Sequence, residues 1–168
     1  MGVIVPTGIV SHWSNMVQGL SCSSKEFYDS IEQGLGVHKL TDIKIERVNL
    51  SEGGILSAKR EYLQIRRNAL VFHVCAAPFG NGFFVSSWLG EIQKGFWAFV
   101  ARIPILGFFV SNVLKPLTYY KADTESMFRS LTHAAVLQAL DQIVTKQGLR
   151  ALSEAERKPE MRDFFGRF

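Results

Sequence analysis

Leu70-Val-Phe-His-Val-Cys-Ala-Ala-Pro78 is the stretch on which the fold turns. It is nearly all apolar, rich in β-branched and aromatic residues and too short for a buried helix, so it predicts a strand covered on both faces. Pro78 cannot donate to a ladder and is expected to end it. Upstream, Ile43, Ile45, Val48 and Leu50 alternate with Lys44 and Glu46, and Ser51-Glu-Gly-Gly54 reads as a turn. Residues 55–67 then predict a longer strand with Leu63 and Ile65 on one face, and Arg67-Asn68 the turn into 70–77. Before these strands, Ser23-x-x-Glu26 is a capping box, followed by Phe27, Ile31 and Leu35 at four-residue spacing, with Gly34 and Gly36 as a stop. The expected unit is a helix followed by an antiparallel three- or four-stranded meander. Residues 1–22 show no sustained period and are expected to form an irregular arm.

Downstream, Phe83-Phe-Val-Ser-Ser-Trp-Leu89 fits either a fourth strand or a first contact with lipid. Residues 95–114 follow, with Arg102 as their only formal charge, Glu91 and Lys94 before them and Lys115, Tyr119, Tyr120 and Lys121 after. That is the length of a spanning helix with interfacial anchors. The eleven Leu, Ile, Val and Phe residues contribute roughly −3 to −7 kcal/mol to insertion, and a central Arg opposes this by about 2.5 to 3.5. Pro104, Ser111 and Asn112 add further cost, so a simple span is marginal. A break at Arg102-Ile-Pro104 gives two short arms, 96–101 and 105–114, suited to a re-entrant or interface-lying hairpin. The residues expected to enter the membrane are Phe96, Trp97, Phe99, Ile105, Leu106, Phe108 and Phe109, with Arg102 reaching back to the headgroups. The competing reading is a buried core hairpin.

Asp123 or Thr124 is expected to cap a long helix running to Gln147, with Met127, Phe128, Leu131, Ala135, Leu140, Ile143 and Val144 on its apolar face and Gly148 as its stop. That face is broader than one small sheet need cover, which points to a homo-oligomer. Ser153-Glu-Ala-Glu156 is a second capping box, and Pro159 suits the start of a further short helix ending near Gly166. The fold class is therefore α+β. The chain divides into an arm (1–22), an α+β unit (23–90), an apolar membrane-associated segment (91–121) and a C-terminal helical segment packing on the unit (122–168).

Composition narrows the function classes. The 168 residues are 47% hydrophobic with 13 Phe, and the charge of +4 comes from 19 basic and 15 acidic residues interleaved along the chain. A nucleic-acid binder needs a longer basic stripe flanked by aromatic platforms than any present. Cys22 and Cys75 make no disulfide framework. The N-terminal residues lack a basic region followed by an apolar stretch, and Pro6 stands where a myristoylation signal wants Ser or Thr, so the N-terminal part is expected to stay cytoplasmic. No glycine-rich phosphate loop, His-Glu-x-x-His, Gly-x-Ser-x-Gly or Cys-x-x-Cys motif occurs, and no cofactor or metal is expected. The nearest constellation is His73 and Cys75, two apart on one strand face, which reads as two metal ligands lacking further partners or as a thiol with its base. The favoured reading is structural, with Cys75 as a small buried apolar residue and His73 hydrogen-bonding at a sheet edge. His133, inside the long helix, fits a pH-sensitive contact. Lys59, Arg60, Arg66 and Arg67 are candidates for anionic lipid headgroups, each basic residue near a surface contributing about 1 kcal/mol.

Glu52-Gly-Gly-Ile-Leu-Ser-Ala-Lys-Arg-Glu-Tyr-Leu63, Cys75-Ala-Ala-Pro-Phe-Gly80 with Gly82-Phe-Phe-Val-Ser-Ser-Trp88, Asp123-Thr-Glu-Ser-Met-Phe128 and Gly148-Leu-Arg-Ala-Leu-Ser-Glu154 resemble the motifs of a group of uncharacterised bacterial membrane proteins. The resemblance covers most of residues 50–165 and implies an apolar membrane segment between strands and terminal helix. It brings no activity or catalytic residue. Arg102 and Pro104 depart from the aliphatic insert that the group carries. The reading is a membrane-associated, non-enzymatic assembly or scaffold protein at the cytoplasmic face of a bacterial inner membrane, with lipid as partner and its protein partner unknown. Two competitors stand beside it: a membrane-disrupting or pore-forming subunit with Arg102 facing water, and an enzyme using His73 and Cys75.

Overall fold

The computed structural model describes residues 4, 6, 8–37, 42–51, 59–92 and 118–161. In chain order these form β1 (Gly8–Gln18), α1 (Ser24–Val37), β2 (Lys44–Ser51), β3 (Lys59–Arg67), β4 (Leu70–Phe79), β5 (Gly82–Glu91), α2 (Tyr119–Lys146), a short α3 (Glu154–Arg157) and β6 (Glu160–Met161). One antiparallel sheet takes all six strands in the order β2-β3-β4-β5-β1-β6. The α+β class holds, with six strands where three or four were expected. No helix among the described residues is long and apolar enough to cross a membrane. Residues 93–117, which include 95–114, and the expected turn at 51–54 beyond Ser51 lie outside the described residues.

Strands β2 to β5 follow the chain as a meander. Asn68 turns β3 into β4 at φ 53, a left-handed conformation that Asn tolerates. Residues 83–89 belong to β5, an inner strand between β4 and β1. Pro78 does not end β4, which runs one residue further and pairs Pro78 with Phe83. By strand alternation its nitrogen points where the neighbouring Ala76 N–H does, toward β3, and the β3–β4 register stops at Tyr62 and Cys75. No ladder bond is lost there.

Residues 8–18, expected within an irregular arm, form a full strand of the sheet, next to its edge. β1 pairs with β5 over its whole length, with a bulge at Val10, and with β6 on its other side. Between β1 and β2, α1 carries the chain across the sheet from one side to the other. The Ser23 hydroxyl accepts from the Glu26 N–H at 3.1 Å, as the capping pattern requires, and the helix continues past Gly34 and Gly36 to Val37.

α1 and α2 cover one face of the sheet. The core between them holds Phe27, Tyr28, Ile31 and Leu35 from α1, Phe128, Val136, Leu140 and Val144 from α2, and Trp13, Leu63, Ile65, Phe72, Val74, Phe83, Val85 and Leu89 from the strands. Burying each large side chain contributes about 1.5–3 kcal/mol. Phe27 meets Phe83 edge to face, with ring centroids 5.6 Å apart. Much of the apolar face of α2 is thus covered by its own chain, and Met127 is the exposed exception. That face gives no support to a homo-oligomer.

Thr118 caps α2, its hydroxyl accepting from the Lys121 N–H at 3.2 Å, so the helix starts before the expected Asp123 or Thr124. Thr124 lies inside the helix and donates its hydroxyl to the Tyr120 carbonyl at 2.8 Å. Gly148, at φ 67, stops it as expected. The Ser153 capping box forms in full, but α3 is a single turn. Glu160 and Met161 are extended and pair with His12 and Ser11, where a helix had been expected to follow Pro159.

Candidate functional site

Two regions hold the residues singled out by sequence, and they lie at different places on the sheet. The first is the end where β5 finishes and α2 begins. Ile92 donates its N–H to the Ala69 carbonyl at 2.7 Å, tying the exit of β5 to the β3–β4 turn. Lys121 Nζ reaches Glu91 Oε1 at 2.7 Å, fastening the first turn of α2 to the last residue of β5. Glu125 continues this charged row beside Arg129 at 3.9 Å, and burial raises its carboxyl pKa while Arg129 counters. Tyr119 and Tyr120 are 92% and 83% exposed at the same place. A shallow pocket of about 150 Å³ joins Arg67, Leu70, Glu91 and Tyr120.

The four candidate headgroup residues are not brought together. Arg66 and Arg67 end β3 beside this corner, whereas Lys59 and Arg60 begin the strand, roughly 20 Å away at about 3.3 Å per residue. Arg67 Nε is paired with Asp42 at 2.6 Å and Arg66 Nε donates to the Asn68 carbonyl at 3.3 Å. A flat bilayer touching one end of the sheet can meet Arg66 and Arg67 only. The expected membrane residues Phe96, Trp97, Phe99, Arg102, Ile105, Leu106, Phe108 and Phe109 lie outside the described residues.

The second region is the sheet face turned away from the helices. Strand register arranges its side chains in rows: His12, Trp88, His73 and Gln64 in one, Ser14, Ser86, Cys75 and Tyr62 in the next, then Met16, Phe84 and Ala77. Strand alternation sets Arg60 at the end of the last row. His12 stacks on Trp88 with ring centroids 3.8 Å apart. Gln64 Oε1 accepts from the Ile4 N–H and from His73 Nε2, each at 3.1 Å, which fixes the Nε2–H tautomer of His73. Pro6 lies over Gly90, where an added Cβ would stand 2.3 Å from the proline Cβ.

His73 and Cys75 share this face as the sequence implied, but their environment opposes catalysis. Burial pulls the His73 pKa down to about 4, and burial pushes the Cys75 thiol up against the opposing influence of Arg60 and Tyr62. At neutral pH both groups are uncharged, and the imidazole is committed to Gln64 rather than to the thiol. Burial thus disfavours the charged form of both groups and works against a thiolate–imidazolium pair.

His133 has a structural partner. Its Nε2 donates to the Arg157 carbonyl at 2.7 Å, and its ring meets Trp13 edge to face at 5.5 Å. Trp13 Nε1 donates to the Glu156 carbonyl at 2.7 Å, and the Arg157 guanidinium makes two bonds to Asp141 at 2.8 and 2.9 Å. Together they strap α3 and β6 onto α2 and β1. Sequence reasoning missed Trp13 and Tyr28. Tyr28 accepts from the Ala76 N–H at 3.0 Å and donates to the Glu61 carbonyl at 2.9 Å, so its hydroxyl bridges β3 and β4 where their ladder ends. Tyr28 sits next to Phe27 in the expected apolar stripe, but no local pattern marks a bridging hydroxyl.

No protein-family model matches the chain, and no curated protein does. Among solved structures it is similar to the di-domain ARO/CYC StfQ from the steffimycin biosynthetic pathway. The identity is 10%, the TM-score 0.33, and the match covers 83% of this chain and 52% of that one. The chain thus spans about half the length of that structure, and a likeness of this degree carries no argument about function.

Proposed function

We propose that the protein is a membrane-associated, non-enzymatic assembly or scaffold protein, held at the cytoplasmic face of a bacterial inner membrane by residues 95–114 acting as a returning loop. The reading rests on the Glu91–Lys121 ion pair at 2.7 Å, which puts the exit from β5 and the entry to α2 side by side. A single crossing needs its two ends on opposite sides of about 30 Å of hydrocarbon. A loop whose ends meet crosses twice or not at all. Split at Arg102-Ile-Pro104, its six- and ten-residue arms would be only about 9 and 15 Å long as helices, which suits shallow insertion. Tyr119 and Tyr120, exposed at the loop base, have the amphipathic character of interfacial anchors, and Arg66 stands at the same end of the sheet. The likeness of the Gly-Gly-x-Leu-Ser-Ala-Lys-Arg and Cys-Ala-Ala-Pro-Phe-Gly motifs to those of bacterial membrane proteins agrees with this reading. The engaged imidazole of His73 and the protonated thiol of Cys75 speak against the enzyme alternative.

Fractionation of expressing cells tests the reading. The intact chain is expected in the pellet after washing with high salt and alkaline carbonate, and the variant Ile105→Glu with Leu106→Glu in the supernatant. Recovery of the intact chain in the supernatant would overturn it.

A further inference from the structure

The outer side of the helix layer changes character along its length. α1 and α2 run antiparallel: Ser30 donates its hydroxyl to Gln142 Oε1 at 3.4 Å, and a Cβ on Gly34 would stand 4.0 Å from Gln138 Oε1. Continued at the same spacing, this pairing brings Val37, the last residue of α1, about level with Ala134. On the far side of that level Lys25, Glu26, Asp29, Gln142 and Lys146 border an open polar groove. From that level to the loop base the outward residues are Val37, 79% exposed, Met127, 65% exposed, and the two tyrosines Tyr119 and Tyr120. Tyr120 and Met127 are seven residues apart, two turns on one side of α2, and half-buried Leu131 and exposed Ala134 continue that side. Single exposed apolar side chains are ordinary, but four of the six large ones among the described residues gather here.

We infer that this half of the helix layer is the face that the domain turns to the bilayer, resting obliquely on the interface beside the inserted loop, with Val37, Tyr119, Tyr120 and Met127 among the headgroups. The inference rests on the loop reading of residues 95–114 and adds to it a second contact and an orientation. The patch is continuous with the loop base, because Tyr119 opens α2 and Lys121, one turn in, is tied to Glu91. Tyrosine rings and a flexible thioether enter the interfacial zone without needing a shaped partner. The neighbouring cations Lys121 and Arg67 are held in ion pairs with Glu91 and Asp42, so the contact is apolar and does not call for anionic lipid. A second copy packed on this side would have to cover Asp123, which is exposed between Tyr120 and Met127, whereas the hydrated headgroup zone leaves that carboxylate in water.

The full chain mixed with vesicles of phosphatidylcholine tests the inference, with an environment-sensitive fluorophore on single introduced cysteines, the native Cys22 and Cys75 being buried. Labels on Met127→Cys and Val37→Cys are expected to brighten at least twofold and shift to the blue when vesicles are added, and a label on Lys146→Cys to stay unchanged. A label on Phe108→Cys reports the loop separately. Met127→Glu combined with Val37→Glu, at two exposed positions, is expected to leave the far-ultraviolet spectrum unchanged and to weaken vesicle binding at least threefold, by the same factor at low and high salt. A response at Phe108 with silence at Met127 and Val37 would overturn this inference and leave the loop reading standing. Silence at all three positions would overturn both. Brightening that follows protein concentration in the absence of vesicles would assign the face to a second copy and also overturn the inference.

Discussion

Glu91 and Lys121 meet at 2.7 Å although the whole apolar segment lies between them in the chain. Their side chains are 27% and 39% exposed, so the pair contributes about 0.2–1 kcal/mol. Its value is in fixing where the segment starts and ends. Glu91→Lys and Lys121→Glu are each expected to lower stability in urea by about that amount, and the double exchange to recover most of the loss. Absence of recovery would mean that the two charges do not act on each other.

Tyr28→Phe removes one oxygen and leaves the Ala76 N–H and the Glu61 carbonyl without their shared partner. The expected loss is about 1–3 kcal/mol, read as a lower urea midpoint with an unchanged slope. A change below about 0.5 kcal/mol would show that β3 and β4 close directly when the hydroxyl is gone.

Acid should weaken the fold through its buried histidines. Burial holds His73 near 4 and lowers His133, whereas in the unfolded chain both titrate near 6.5. As pH falls below 6.5 the unfolded chain takes up protons that the folded chain refuses, so stability is highest above 6.5 and declines toward 4. For His73 alone the decline is roughly 3 kcal/mol across that window. Glu125, raised by burial, opposes it in the lower part. Thermal unfolding at pH 7 and pH 5 is the check: His73→Gln is expected to flatten the dependence, and an unchanged slope would contradict the assignment.

The C-terminal strap should open locally. Asp141→Asn weakens the two Arg157 bonds at a site where both side chains are partly exposed. Hydrogen exchange is expected to rise several-fold at Ser11 and Met161 with little change in the global midpoint, because β6 adds only two residue pairs to β1. Equal acceleration throughout the sheet would show that the strap belongs to the main cooperative unit.

The sequence disclosed what local chemistry controls. The start of α1 follows from Ser23 and Glu26, the stop of α2 from Gly148, and β2 to β4 from alternation and the unbroken run after Leu70. β1 escaped notice because its two faces are not chemically distinct. Trp13 and Val17 face the core in the same alternation as Ser11 and Asn15, and Met16 lies on the other face with Ser14. Polar residues on the core face and an apolar one on the outer face erase the period-two signal on which strand recognition depends. The membership of β6 rests on pairing with a strand nearly the whole chain away, which no local pattern encodes. Lys59, Arg60, Arg66 and Arg67 look like one basic cluster in sequence, and an extended strand pulls the cluster into two ends. Conversely, Met16 and Arg60 lie far apart in the chain and line one pocket.

The most direct test of the returning loop labels exposed positions before and after it. Gln18→Cys and Lys146→Cys place reporters on either side of the segment, and the native Cys22 and Cys75 are buried. A membrane-impermeant maleimide is applied to sealed vesicles of known orientation. Modification of both positions from the cytoplasmic side, and of neither from the other, is the predicted result. Modification of the two positions from opposite sides would contradict the account, because the segment would then cross the membrane once and Glu91 could not meet Lys121.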